Sequence, residues 1–446
     1  MVSLRRSNQA TRVEFPCPNP TGPTAAIPHH FLGWPRAARW CCGLLALAMA
    51  ACASPPKAQP AARAASLAES FVEKAGVVRV RSGRAELFVS GPEIRSKMLQ
   101  LIGGARHSLL INSYLVTKSE FTTQIIAALK LKQAQGVRVQ VTADSSSRFV
   151  AAPAAFDELT KAGIPWAEFH PIRLATVGNL PRLLERDHRK VWIIDGRTVF
   201  LGGANLTSES LGDPGANGNL DLMVAFDSPE AARRLTASYV ATWNEASQQK
   251  LRAEDFVIPE TRSADTGAWV FDQQLDGEPA NIGTMFAGLF GAARRELWLV
   301  HSYTFTNPTL LRLVRDATAR GVRVHLVLAH RAVSRRLLCA SHYGIRDFQQ
   351  AGGEVWIHDR PGTYLHSKGV LADDRWTCVG SANLNRRSCG LSREAGVVFD
   401  DPGLARQFRM HLDAVRAESH RVSPAEARRY RTPRHWFWWK VLQWAG

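Results

Sequence analysis

The chain has 446 residues, 45% of them hydrophobic, a length and composition that support two core-bearing units and argue against a disordered or fibrous protein. Its 56 basic and 39 acidic residues leave a formal net charge of +17, which favours an anionic partner (a phospholipid surface, nucleic acid or a phosphorylated substrate) beside the plainer reading of a well-solvated basic surface. Beyond Cys52 only Cys339, Cys378 and Cys389 remain and no CxxC occurs, so a disulfide framework or a zinc site is not expected; the thiols read as buried groups with room for one bridge.

Residues 1–52 read as a targeting segment. Arg36 and Arg39 precede an apolar run from Trp40 to Ala51, too short to span a bilayer but suited to the core of a signal peptide. Met49-Ala50-Ala51-Cys52 resembles a bacterial lipobox, which makes Cys52 a candidate for lipidation and the protein anchored rather than spanning. A periplasm-facing position in the bacterial cell envelope follows from that reading; an uncleaved anchor or a plain signal peptide is the alternative. Residues 53–75, rich in Pro and Ala at their start, read as a linker.

After the linker the chain repeats itself. Arg106 to Tyr114 aligns with Arg295 to Tyr303. Each copy leads into an amphipathic helix, Phe121–Gln135 and Thr309–Arg320, closed by Gly136 and Gly321 as C-caps. Apolar strands Val137–Thr142 and Val322–Leu328 follow, and then a second helix, ending at Lys161-Ala162-Gly163 and at Gln350-Ala351-Gly352. Alternation of this kind predicts an α/β fold of two pseudo-symmetric halves, each a mixed sheet flanked by helices. We assign residues 76–255 to the first half, 256–422 to the second and 423–446 to a tail.

Each half then carries the pattern HxKxxxxD-x6-G[GS]xN. The first copy has His188, Lys190, Asp195, Gly202, Gly203 and Asn205; the second has His366, Lys368, Asp373, Gly380, Ser381 and Asn383. The β-prone runs Val191–Ile194 and Thr198–Leu201 surround Asp195-Gly196, a hairpin signal. Strand period puts each His and its Lys on one face. Asp195 and Asp373 then lie at the far end of a hairpin from the chemistry, as structural residues holding turn amides. The Gly202-Gly203 and Gly380-Ser381 pairs let the returning backbone pass close to the site, where Asn205 and Asn383 point an amide inward. Leu211–Asn219, rich in Gly, is a candidate lid or a passive surface loop.

The tail, Arg428 to Trp444, has four tryptophans among cations and no acidic residue. Trp prefers the membrane–water interface and Lys/Arg are drawn to anionic headgroups, so the tail is a candidate membrane contact; docking on the protein's own core is the alternative.

Two His-Lys-Asn sets can surround one phosphodiester. Lys190 and Lys368 supply charge and Asn205 and Asn383 neutral donors. One neutral histidine can attack phosphorus to form a phospho-histidine, and the other can give and take the proton of the alcohol. Histidines in such roles need an orienting carboxylate. Asp221 follows His188 within the first half and Glu394 follows His366 within the second; each precedes an apolar strand, as a buried partner would. No metal-ligand cluster is evident, and neither metal nor cofactor is expected.

The doubled motif resembles that of the phospholipase D superfamily. The flanks, Arg186 to Lys190 with Gly202 to Asn205 and Leu365 to Lys368 with Gly380 to Ser388, resemble its bacterial cardiolipin synthase branch. The resemblance covers roughly residues 85–420. It implies one site between the halves and phosphatidyl transfer through phospho-histidine, with His188 as nucleophile and His366 as acid/base. It implies anionic phospholipids such as phosphatidylglycerol as partners, and cardiolipin plus glycerol as products. Hydrolysis by the same intermediate is the nearest alternative; a nuclease or a non-catalytic lipid-binding protein is the less favoured. Ser392, where the branch usually has Asn, and Arg386, where it commonly has Pro, depart from the pattern without removing a catalytic group.

Overall fold

The computed structural model describes residues 77–151, 154–171, 185–256, 266–275 and 282–445, all within the unit Ser54–Gly446. The expected targeting segment with Cys52 and the linker lie outside the described residues.

Nine strands precede residue 256: β1 (Val77–Ser82), β2 (Glu86–Ser90), β3 (Ser108–Ser113), β4 (Arg138–Asp144), β5 (Trp166–Phe169), β6 (Arg186–Asp187), β7 (Val191–Ile194), β8 (Thr198–Gly202) and β9 (Asn219–Asp227). Nine follow: β10 (Thr266–Gln273), β11 (Glu296–His301), β12 (Arg323–Ala329), β13 (Glu354–His358), β14 (Tyr364–Leu365), β15 (Lys368–Ala372), β16 (Trp376–Gly380), β17 (Ser392–Asp400) and β18 (Ser419–Arg421).

The chain is α/β with two sheets of matching order, β9-β8-β7-β3-β4-β5 in one and β17-β16-β15-β11-β12-β13 in the other. In each, two parallel steps follow antiparallel hairpins, as the alternation of strands and helices predicted. The repeated helices run Glu120–Ala134 and Pro308–Ala319, N-capped by Ser119 and Asn307. Gly136 and Gly321, one residue beyond each C-cap, both adopt φ +85°, where an L side chain would be strained.

Strand period distributes the apolar side chains. Val191 and Ile193 of β7 enter a core shared by both sheets, while Trp192 and Ile194 enter an outer core of the first half. The shared core takes Leu222 and Val224 from β9, Val397 and Phe399 from β17, and the helices Pro229–Ala246 and Pro402–Ala417. Phe226 meets Phe399 edge-on at 5.1 Å. The sheets thus face one another, with the remaining helices outside.

The boundary between the sheets does not follow the chain. Strand β1 pairs with β10, so the second sheet begins with first-half residues. Two two-residue strands are exchanged symmetrically: β6, just before His188, pairs parallel with β17, and β14, just before His366, pairs parallel with β9. Ion pairs accompany the exchange: Arg189 with Asp187 at 2.7 Å and with Asp272 at 3.3 Å, both buried, and buried Arg393 with the half-buried Glu245 at 2.7 Å. Such pairs add little net stability but penalise any docking that leaves a charge unmatched.

Candidate active site

The exchanged strands aim the histidines. The His188 amide donates to the Arg393 carbonyl at 3.0 Å, and the His366 amide to the Leu220 carbonyl at 2.7 Å. Each ring is thereby set against the start of the opposite half's carboxylate-bearing strand. His188 Nδ1 lies 3.1 Å from Glu394 Oε1, and His366 Nδ1 lies 2.6 Å from Asp221 Oδ2. Both carboxylates are fully buried, while both rings keep 16% exposure. Chain order placed Asp221 beside His188 and Glu394 beside His366; the fold crosses them. With Nδ1 engaged, Nε2 is the nitrogen left for chemistry on each ring.

Each lysine folds back on its histidine. Lys190 Nζ donates to the His188 carbonyl at 2.6 Å, and Lys368 Nζ donates to that of His366. The glycine of each return strand is required by contact. A Cβ on Gly202 would sit 2.1 Å from the Leu222 carbonyl oxygen. One on Gly203 would sit 2.1 Å from Asp221 Oδ1 and 3.3 Å from Lys368 Cδ, so first-half backbone, Asp221 and second-half lysine converge at one point. Ser381 occupies the matching position in the second half. Its hydroxyl donates to Glu394 and accepts the Ala395 amide at 3.0 Å.

The two asparagines differ. Asn205 Oδ1 accepts the Leu115 amide at 3.2 Å, which leaves its Nδ2 as the donor. Asn383 Nδ2 donates to the Tyr303 hydroxyl at 2.9 Å, and its Oδ1 accepts from Ser302 Oγ at 3.3 Å.

Two site residues escaped the sequence reading. Tyr114 packs edge-on to His188 at 4.6 Å, with Lys190 Nζ 4.8 Å from its ring centroid. Tyr303 holds Asn383 as above. Both close the repeated strand that aligned the two halves, and that recurrence was the available signal. Burial raises the phenol pKa of both.

Asp195 and Asp373 stand at the hairpin turns with φ +53° and +55°. Asp195 accepts the amides of Arg106, His107 and Ser108, and Asp373 those of Arg294, Arg295 and Glu296. They clamp the entry to β3 and β11. Asp195→Ala is expected to cost about 2–3 kcal/mol, from three orphaned donors and a side chain ill-suited to positive φ, while activity per folded molecule is kept. A lower melting temperature at unchanged specific activity is the outcome to look for.

The electrostatics of the site follow from burial. Burial pushes His188 down to about 4; Glu394 opposes this in part, and Lys190 and Lys368 add to it. His366 is also lowered, by burial and then by Lys368, against Asp221. Burial brings Lys190 to about 7 and Lys368 to about 8. Burial by itself would raise Asp221 and Glu394, but their histidine and lysine neighbours more than offset it and both are lowered. Two ionised carboxylates thus face two neutral rings and two cations held close to losing their protons, an arrangement that an added anion relieves.

The Leu211–Asn219 segment is tied to the second half. Thr363 Oγ1 donates to the Pro214 carbonyl, and the Asn217 amide to that of Gly362, both at 2.7 Å. The three described cysteines are unbridged. No described group of three or more His, Cys, Asp or Glu is arranged to hold a metal ion.

A family model described as cardiolipin synthase, PLD-like domain, matches residues 98–243 and 287–416. A cardiolipin synthase of Geobacillus kaustophilus is 25% identical over 315 residues, 70% of this chain and 62% of that protein. Cardiolipin synthase B of Salmonella typhi is 25% identical over 337 residues, 74% of this chain and 79% of that protein. The chain thus spans under two thirds of the length of the first of these relatives. Among solved structures, phosphatidylserine synthase of Haemophilus influenzae aligns with a TM-score of 0.64 at 16% identity, over 83% of this chain and 95% of that one, a likeness of fold.

Proposed function

Because the chain belongs to the cardiolipin synthase, PLD-like domain family, we propose that it is a membrane-associated phosphatidyltransferase acting on anionic phospholipids, of the type that makes cardiolipin and glycerol from two phosphatidylglycerols. The observation that carries this is the crossed pair of buried carboxylates, each holding a histidine by Nδ1 and freeing its Nε2.

The donor phosphodiester sits between Lys190 and Lys368, with Asn205 Nδ2 as a further donor. His188 Nε2 attacks phosphorus; the N–P bond forms as the P–O bond to the glycerol headgroup breaks. His366, which takes up a proton as the anionic donor binds beside it, gives that proton from Nε2 to the departing alkoxide. The acceptor hydroxyl then returns a proton to His366 as its oxygen attacks phosphorus and the N–P bond breaks. Glu394 stabilises the charge that develops on His188, and Asp221 holds the His366 imidazolium. The resemblance stated above supports His188 as the nucleophile. The expected lipid anchor at Cys52 and envelope location belong to the same proposal, and palmitate labelling that depends on Cys52 is its check.

Incubation of purified protein with phosphatidylglycerol vesicles, with products identified by mass spectrometry, tests the reaction. Cardiolipin with glycerol is the expected result. Phosphatidic acid alone means that water is the acceptor, and the reading changes to hydrolysis.

The lysines set the pH dependence. Only protonated lysine neutralises the phosphodiester, and burial brings Lys190 to about 7 and Lys368 to about 8. Hence kcat/KM should fall as pH rises through this range. A bound anion raises both values, so the basic limb of kcat should lie at higher pH, and binding near pH 8 should take up protons. Calorimetry in buffers of different ionisation enthalpy measures that uptake; its absence counts against the lysines as phosphate ligands.

A further inference from the structure

The C-terminal helix Pro433–Ala445 docks on the second half by one face and presents another of unusual composition. Its docked side is fixed by named contacts. Trp439 Nε1 donates to the Thr306 carbonyl at 3.2 Å, and its ring lies 5.2 Å from that of Tyr343. Arg336 lies 4.8 Å from the centroid of Trp438. The helix therefore has a preferred outward side, where Pro433, Arg434, Trp436, Phe437 and Lys440 are exposed. On a helical wheel these five fall on one continuous face.

A surface helix ordinarily shows polar side chains outward. Here Trp436 is 48% and Phe437 51% exposed, side by side between two cations. Val333, 81% exposed, precedes the helix Arg335–Tyr343, on which this helix packs. No acidic residue follows Glu426 in the chain. The elements around this helix also carry residues of the site's surroundings. Thr306, which holds Trp439, is three residues from Tyr303. Arg331, two residues before Val333, donates to Asn217 of the segment tied beside Tyr364, whose ring lies 5.6 Å from that of His366.

We propose that the outer face of the Pro433–Ala445 helix, with Trp436 and Phe437 set between Arg434 and Lys440, docks the protein on the headgroup layer of an anionic phospholipid bilayer. This deepens the membrane association proposed above by assigning its contact surface. Aromatic rings settle at the interface between headgroups and acyl chains, and the lysine and arginine stems lie along them while their charges reach the phosphates. Two large apolar side chains in water are a liability unless such a surface covers them.

Full-length protein is mixed with phosphatidylglycerol vesicles whose acyl chains carry bromine, which quenches only tryptophans that insert. Wild type should be quenched, and Trp436→Phe should lose part of that quenching while keeping the helix. Arg434→Gln/Lys440→Gln should raise the lipid concentration for half-quenching about fivefold per charge removed. Equal quenching in wild type and Trp436→Phe overturns the proposal, as does self-association through Trp436 in place of quenching. An unchanged titration in the double Gln variant overturns the anionic assignment. The readout does not depend on turnover: a protein that transfers phosphatidyl groups without inserting Trp436 sinks this inference alone, and one that inserts Trp436 but turns nothing over sinks the proposed reaction alone.

Discussion

His188→Ala and His366→Ala are each expected to lower turnover by about 10^4-fold or more, among the largest effects any single substitution in this chain should have. The carboxylates behind the rings are buried on the Nδ1 side, away from the reacting Nε2, and the lysines donate to the His188 and His366 carbonyls. The two variants should fail differently. With labelled donor lipid, His188→Ala should form no covalent adduct, because the attacking nitrogen is gone. His366→Ala should form one slowly and then hold it, because nothing draws a proton from the acceptor. Acid-labile label on the protein, followed after rapid quenching, measures both. Substantial turnover in both variants removes the two-histidine mechanism.

Glu394→Gln and Asp221→Asn are expected to lower kcat by about 10^3–10^4-fold, since an amide in place of a buried carboxylate cannot stabilise an imidazolium and favours the wrong tautomer. Each substitution nearly conserves volume, so packing is kept. These are positioning residues, and leaving-group dependence separates that role from simple loss of structure. A phosphodiester with a nitrophenol leaving group needs no proton. It should largely restore the first step in His366→Ala and in Asp221→Asn, but not in His188→Ala or Glu394→Gln. The pairing in that result is the point: Asp221 should behave with His366 and Glu394 with His188. If Asp221→Asn instead behaves like His188→Ala, the crossed arrangement is wrong in solution. The comparison holds whichever histidine is the nucleophile, because exchanging the roles exchanges both members of each pair.

Much of the fold was legible because its signals are local. The helix of the first half was expected at Phe121–Gln135 and lies at Glu120–Ala134; that of the second, expected at Thr309–Arg320, lies at Pro308–Ala319. Gly136 and Gly321 mark their ends through backbone angles that few residues adopt. The hairpin turn at Asp195-Gly196 follows from the same turn chemistry. Tyr114 and Tyr303 were visible in the repeat, yet nothing in composition or spacing told a site tyrosine from one that ends a strand. The tail read as a membrane contact, with packing on the protein's own core as the alternative. It does pack on the second half, through Trp439, and it also leaves Trp436 and Phe437 outside.

The sequence by itself determined the residue types of the chemistry, their doubling and the alternation of strands and helices, because periodicity, turn preference and spacing act over a few residues at a time. Only the tertiary structure decided which carboxylate serves which histidine. His188 and Glu394 are 206 positions apart, and His366 and Asp221 are 145 apart. Their meeting depends on the exchange of β6 and β14 between the sheets, which is set by how two cores and a set of buried ion pairs fit together. Counting along the chain pairs each histidine with the carboxylate of its own half; the fit of the sheets gives it to the other.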